Sequence, residues 1–186
     1  MDAVNNEIRV RDSHDDDLNA IRKIYAHHVI EGSGSFELEP PDIVEMMRRR
    51  AEVLRNGFAY LVATTHEAGH ERVLGFAYAS FFRMRPAYRF TVENSIYIDP
   101  DAQRRGAGRL LLNQLIARCE AVGMREMVAV IGDSANTASI ALHGACGFRF
   151  AGLLRATGWK FDRWLDTVLM QRELGDGDRV PPDPGL

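Results

Sequence analysis

The stretch IYIDPDAQRRGAGRLLL, Ile96 to Leu112, constrains this chain more than any other part of it. An apolar strand ends at Asp99 and Pro100, three polar residues follow (Gln103, Arg104, Arg105), and Gly106 and Gly108 lead directly into leucines at helical spacing. Glycines at a helix start let the main chain come close to a ligand. The free N–H groups and the positive end of the helix dipole there favour an anion, phosphate above all. Two familiar forms of such a turn are excluded. A dinucleotide fingerprint needs a third glycine, where this chain has Leu111, and a Walker loop needs Gly-Lys-Ser/Thr, which is absent. What remains is a Gln/Arg-x-x-Gly-x-Gly/Ala turn after a strand, able to cradle a pyrophosphate or to be a basic helix start with no ligand.

Around this turn, strand-like and helix-like stretches alternate over short connections. EIRVR (7–11) alternates and reads as a strand, and Ser13 with Asp16 reads as a capping box. Leu18, Ile21, Ile24, Tyr25 and His28 fall at helical spacing. GSGS (32–35) breaks that helix. Pro40 and Pro41 precede a second, with Ile43, Met46, Met47, Arg50, Val53 and Leu54 on one face and Gly57 as its stop. Residues 60–65, 73–82 and 91–98 read as strands, 106–122 as a strong helix, 127–131 as a buried strand and 136–146 as a short helix ended by Gly147. Residues 148–174 read as two strands around a turn near Asp162, and the tail GDGDRVPPDPGL (175–186) as disordered. With no repeat and no linker, the expectation is one domain of mixed α and β type over 1–174.

The 186 residues suffice for one domain with a core, and 46% apolar with 26% charged residues is ordinary for a globular chain. A net charge of −3 makes no electrostatic case for nucleic acid or an anionic membrane. No apolar run approaches ~18 residues, so no membrane span is expected. The start, MDAVNNEIRVRDSHDDD, lacks the basic and apolar regions of a signal peptide, and Cys119 and Cys146 form no metal or disulfide pattern. A reduced, cytoplasmic protein is expected. No metal is expected either: His27 and His28 are adjacent and point apart.

The glycine turn, followed by NTASIALHGACGF (136–148), resembles the GCN5-related N-acetyltransferase (GNAT) family, which binds acetyl-CoA. SFELEP (35–40), RMRPAYRFTVENSIYI (83–98), VAVIGDSANTASIALHGACGF (128–148) and GWKFDRWLD (158–166) resemble in particular its phosphinothricin and methionine-sulfoximine acetyltransferases. Together these cover most of residues 8–174. The resemblance implies the GNAT acyl-CoA N-acyltransferase fold, an α/β fold with a central, mostly antiparallel sheet, one splayed strand pair and flanking helices. Pantetheine then lies in the splay like an added strand, along the main chain of Ile96, Tyr97 and Ile98. Arg104, Arg105, Gly106, Ala107, Gly108 and Arg109 form the pyrophosphate cradle.

The resemblance also assigns roles. Glu93 lies three residues before Ile96, and alternation turns it away from Asn94 and Ile96. An acceptor amine arrives protonated and cannot attack a thioester in that form, so a carboxylate here acts as general base. Burial would raise the pKa of that carboxylate and nearby arginines would lower it. Arg83 and Arg85 alternate at a strand end. With Tyr88 they can hold an acidic acceptor, and Phe36 matches a phenylalanine of the substrate pocket. Asn136, Ser139 and His143 share one face of the short helix. Asn136 is a good N-cap that in the family contacts the coenzyme arm. His143 stands where most of the family has a tyrosine proposed to protonate the leaving thiolate, a step histidine or water can supply. Cys146 invites an acyl-cysteine reading, set aside because a free cysteine on a helix's apolar side is usually core filler. Trp159, Trp164 and Asp166 read as hairpin architecture and as a candidate subunit contact.

The implied activity is direct acetyl transfer from acetyl-CoA to the amine of a small amino acid or analogue, by a homodimer. Two rivals stay open: a peptide or protein acetyltransferase with an open groove, and a non-catalytic acyl-CoA-binding module that would not need Glu93. Arg83 in place of a frequent lysine, the residues around Phe36 and Asp162 in place of a usual glycine depart from the pattern. They bear on the acceptor rather than on the chemistry.

Overall fold

Every residue of Tyr60–Thr65 is buried, as expected of a strand covered on both faces. A computed structural model, describing residues 7–67 and 69–182, places this run within β2 (Tyr60–Glu67) of a seven-stranded sheet. The others are β1 (Arg9–Asp12), β3 (His70–Phe81), β4 (Thr91–Ile98), β5 (Glu126–Gly132), β6 (Arg149–Lys160) and β7 (Arg163–Glu173), in the order β1-β2-β3-β4-β5-β7-β6. All pairs are antiparallel except β4 with β5. Among the described residues four α-helices flank the sheet: α1 (Leu18–Ile30), α2 (Ile43–Arg55), α3 (Ala107–Ala121) and α4 (Thr137–Ala145).

Adjacent strand residues point to opposite faces, so β4 shows which helix lies where. The Tyr97 ring meets Tyr25 of α1 edge-on at 4.9 Å. A Cβ on Gly108 of α3 would stand 3.7 Å from Ile98 and 3.2 Å from Leu142 of α4. Helix α1 therefore covers one face and α3 with α4 the other. Leu111, Leu112, Leu115, Ile116 and Cys119 of α3 are all buried, as their spacing predicts.

Three expectations are corrected in detail. The cap before α1 sits one residue later than expected: the Asp17 carboxylate accepts the His14 N–H at 2.7 Å, while Ser13 Oγ receives Arg50 Nε at 2.7 Å. The β2–β3 hairpin runs into the polar HEAGHER stretch, because cross-strand pairing there continues from Thr65–Arg72 out to Glu67–His70. In α2 only Met46 and Val53 are buried, and Met47 and Leu54 are exposed, because α2 meets α1 and β2–β3 along a narrow stripe.

The β6–β7 turn is formed by Phe161 and Asp162, both at positive φ (54° and 52°). Of the tail, residues 175–182 follow β7 through turns at Gly177 and Arg179, with Arg125 reaching the Pro181 carbonyl. Residues 183–186 lie outside the described part. Among the described residues no helix is long and apolar enough to cross a membrane.

Candidate active site at the strand splay

β4 and β5 pair only from Thr91–Glu126 to Asn94–Ala129. Beyond Asn94 they part: β4 stays with β3 as far as Ile98, and β5 stays with β7 as far as Gly132. The wedge between them opens into a cavity of about 870 Å³, whose lining includes Glu93, Ile96, Gly106, Asn136 and His143. That volume falls in the range of small-molecule sites.

The ladder direction shows which main-chain groups face the wedge. Phe82 N–H donates to the Thr91 carbonyl at 3.2 Å, and Asp99 N–H to the Leu74 carbonyl at 2.8 Å. In an antiparallel ladder bonded residues alternate, so odd-numbered β4 residues turn their main chain to β3 and even-numbered ones turn it away. Ile96 and Ile98 therefore face the wedge. Tyr97 also lines the cavity, but its main chain bonds toward β3 and its ring packs among Tyr25, Phe76 and His28. The Ile98 carbonyl is itself occupied, by His28 Nε2 at 2.8 Å. The carbonyl can only accept, so this nitrogen carries the proton. His28 had no functional signal in the sequence, because its partner lies 70 residues away.

At the far end, Arg104 (φ 60°) and Gly106 (φ 92°) bend the chain into α3. Among the described residues no side chain caps α3, and its first turn holds no acidic residue. Helices α2 and α4, by contrast, are capped by Asp42 and Asn136. The first N–H groups of α3 are thus left for an anion entering the cavity. Gln103, Arg104, Ala107, Gly108 and Arg109 line it there. Gln103 was legible as the first residue of the turn but not as a lining side chain. Arg105 does not line the cavity: its Nη1 binds Glu67 Oε1 at 2.7 Å, a pair that needs the β2–β3 hairpin to exist.

Glu93 lies on the other side of the wedge, on the α1 face, half-buried. Burial pushes its carboxyl pKa up, and the charge of Arg83 opposes this only partly. Phe36 reaches the same region. Its ring packs where Gly132 and Gly158 have no side chains, with ring carbons 2.8 and 2.4 Å from the Cβ positions those glycines lack. The loop carrying it is tied down by Lys160, whose Nζ donates to the carbonyls of Gly32 (2.8 Å) and Ser35 (2.7 Å).

Arg83, Arg85 and Tyr88 are placed differently from expectation. β3 ends at Phe81 and a short 3-10 turn begins at Pro86, so the two arginines sit in an exposed connection rather than alternating on a strand. Proline restricts the residue before it and offers no N–H to the ladder. None of the three lines the cavity. Arg83 lies over the Phe82 ring at 4.6 Å, and Tyr88 meets that ring edge-on at 5.9 Å.

Asn136 caps α4, its Oδ1 accepting the Ser139 N–H at 3.2 Å, and both residues line the cavity. His143 is 2% exposed. Its Nδ1 meets the Ser139 carbonyl at 2.8 Å and its Nε2 meets the Asn94 side-chain amide at 3.0 Å. Burial lowers its pKa, and the Ser139 carbonyl partly counters that. Cys146 is buried and burial pushes its thiol pKa up, which suits packing and not nucleophilic attack.

A model of the acetyltransferase (GNAT) family matches residues 21–148. The chain is 55% identical over 174 residues to a phosphinothricin N-acetyltransferase of Alcaligenes faecalis, covering 94% of this chain and 86% of that one. It is 38% identical over 173 residues to an L-methionine sulfoximine/L-methionine sulfone acetyltransferase of Pseudomonas aeruginosa, covering 93% and 98%. A crystal structure of a GNAT phosphinothricin acetyltransferase from Sinorhizobium meliloti in complex with AcCoA superposes with a TM-score of 0.91 at 47% identity, covering 96% and 95%.

Proposed function

The chain belongs to the GNAT acetyltransferase family and is an N-acetyltransferase that uses acetyl-CoA, and on that premise we propose that it acetylates the amine of a small amino-acid analogue with Glu93 as general base. The acceptors that best fit the relatives' names are phosphinothricin, methionine sulfoximine and methionine sulfone. One observation carries the reading. A single wedge holds an uncapped helix start at one end and, on the opposite face of β4, a half-buried carboxylate.

Acetyl-CoA supplies an activated acetyl group. The N–H groups at the start of α3, with Arg104 and Arg109 beside them, suit its diphosphate. Ile96 N–H and C=O and Ile98 N–H suit the amides of its arm. Glu93 takes a proton from the acceptor ammonium, directly or through water, which frees the lone pair for attack. Its raised pKa suits the task, since an ordinary carboxylate is too weak a base. The nitrogen's second proton balances the departing thiolate, and the proton on Glu93 returns to solvent. Phe36 walls the acceptor side, which supports a small acceptor over a peptide. Arg83 stands close enough to Glu93 to act on its charge, and we keep it for the acceptor's acidic group.

The exposed apolar side chains of β6 and its hairpin, with Trp159 at 54% and Trp164 at 62% exposure, support a homodimer. Two buried, unpaired cysteines fit a reducing cytoplasm.

The test is thiol release from acetyl-CoA across amino acids, their sulfone, sulfoximine and phosphinate analogues, and short peptides. Turnover with the small analogues and none with peptides is expected. Peptides outcompeting every small amine, or no thiol release with any amine, would reverse the reading.

A further inference from the structure

Asn94 is the last residue of β4 paired with β5, and the wedge opens directly after it. Its side chain is buried at that apex and makes two contacts. Nδ2 donates to the Val128 carbonyl of β5 at 3.2 Å, and Oδ1 meets His143 Nε2 of α4 at 3.0 Å. At its other nitrogen, His143 faces the Ser139 carbonyl at 2.8 Å. Asn94 Oδ1 can only accept, because its Nδ2 is given to Val128, so the neutral ring of the clasp carries its proton on Nε2 and donates it to Asn94 Oδ1. In that neutral form Nδ1 accepts the Ser139 Oγ–H at 3.4 Å, and a protonated ring donates Nδ1–H to the Ser139 carbonyl as well. The Phe148 ring stands edge-on to the imidazole at 5.0 Å and helps fill its surroundings. Neither ring nitrogen is thus left with a proton for the cavity.

We infer that His143 is a positioning residue: with Asn94 it forms a clasp that joins α4 to the apex of the wedge and sets how far β4 and β5 open for the coenzyme. Three elements meet in this one pair. β4 and β5 are joined through Asn94 and Val128, and α4 is joined through His143. α4 also carries Asn136 and Ser139 at the cavity wall, so a shift of α4 changes the width of the coenzyme channel. Proton supply to the thiolate then comes from the attacking nitrogen or water. This inference rests on the proposed acetyl transfer in the wedge.

The test uses the full chain and compares Asn94→Ala, His143→Leu, His143→Gln and the Asn94→Ala/His143→Leu double variant. Calorimetry gives the Kd for coenzyme A alone, and steady-state assays give kcat and its pH profile. A clasp predicts that each single loss variant weakens coenzyme A binding by about tenfold, with the double variant no worse than either single one. His143→Gln presents an amide N–H to Asn94 and cannot act as an acid at neutral pH. It recovers most of the lost affinity and keeps the parent pH profile. If His143→Gln binds coenzyme A as the parent does, loses kcat more than ~100-fold and loses the alkaline limb, His143 is the proton donor and the inference falls. Fully additive losses in Kd overturn it as well. Should His143→Leu not fold, Asn94→Ala and His143→Gln decide alone. A parent protein that binds coenzyme A but transfers to no amine would instead count against the proposed function, and the Kd comparison would still report on the clasp.

Discussion

The Phe36 ring occupies the space a side chain on Gly158 would need: its Cε2 and Cδ2 stand 2.4 and 2.6 Å from the missing Cβ position. Helix-terminal loop and distant hairpin are thereby joined in one wall. Gly158→Ala has to displace Phe36, since the Lys160 ammonium holds the loop's carbonyls on the other side. The expected result is a KM for the acceptor raised about tenfold, with KM for acetyl-CoA unchanged. Equal rises in both would show that the wall does not belong to the acceptor side.

Glu93→Gln removes the base and keeps the shape. kcat is expected to fall by ~100-fold or more, with coenzyme A binding intact. Stability should move the other way. The folded-state pKa of Glu93 is raised, because burial outweighs the Arg83 charge. Its contribution is therefore fully present below its unfolded pKa and is lost as pH rises through the folded value. At pH 7 the glutamine variant should melt higher than the parent, and the gap should close as pH falls toward ~4. Melting curves at several pH values check this.

Gly106 starts α3 at φ 92°, with open space around its absent Cβ. Alanine there meets no neighbour, so its cost is backbone strain alone, about 1 kcal/mol. The N–H groups of the α3 start would tilt with it. Gly106→Ala is expected to lower stability by that amount in urea unfolding and to weaken coenzyme A binding in calorimetry.

Arg11 grips Asp17 with two bonds, 2.7 and 2.9 Å, and His14 N–H adds a third at 2.7 Å. Burial works to raise the Asp17 pKa, yet these bonds outweigh it and hold the value below the usual one. A depressed folded pKa contributes stability above the unfolded value of ~3.9 that is lost as pH falls through the folded one. Asp17→Ala should cost about 2 kcal/mol at pH 7 and less at each step of acidification below ~4. Denaturant midpoints from pH 7 down to acid would show that convergence.

Trp159 and Trp164 face each other across the β6–β7 hairpin with ring centroids 5.3 Å apart, both largely exposed. If a second copy covers them, light scattering behind gel filtration gives twice the chain mass for the parent. Trp159→Ser/Trp164→Ser then elutes at the chain mass with unchanged far-UV circular dichroism. A monomeric parent would dismiss the dimer.

Much of this site is legible in the sequence. The residue order through the glycine turn, the leucine stripe of α3 and the alternation of Thr91–Ile98 are properties of neighbours along the chain, and the structure keeps them. Glu93 turning away from Asn94 follows from the same period of two. Arg83 and Arg85 do not alternate on a strand because β3 ends at Phe81 and the last bond to β4 is made by Phe82. Arg105 left the cradle because Glu67 reaches it from a different hairpin.

Local periodicity, turn chemistry and residue type therefore set the elements, their order and the place of the anion-binding turn, since each acts over a few residues. The tertiary structure alone decided where the strands separate, which of Ile96, Tyr97 and Ile98 turn their main chain to the gap, that His28 covers the Ile98 carbonyl and that Phe36 fills the space above two glycines. Those outcomes depend on partners from 21 residues away, as for Phe76 and Tyr97, to more than 100, as for Phe36 and Gly158. A hydrogen bond or a filled void at that range leaves no period in the chain, because it is chosen by packing only after the sheet has closed.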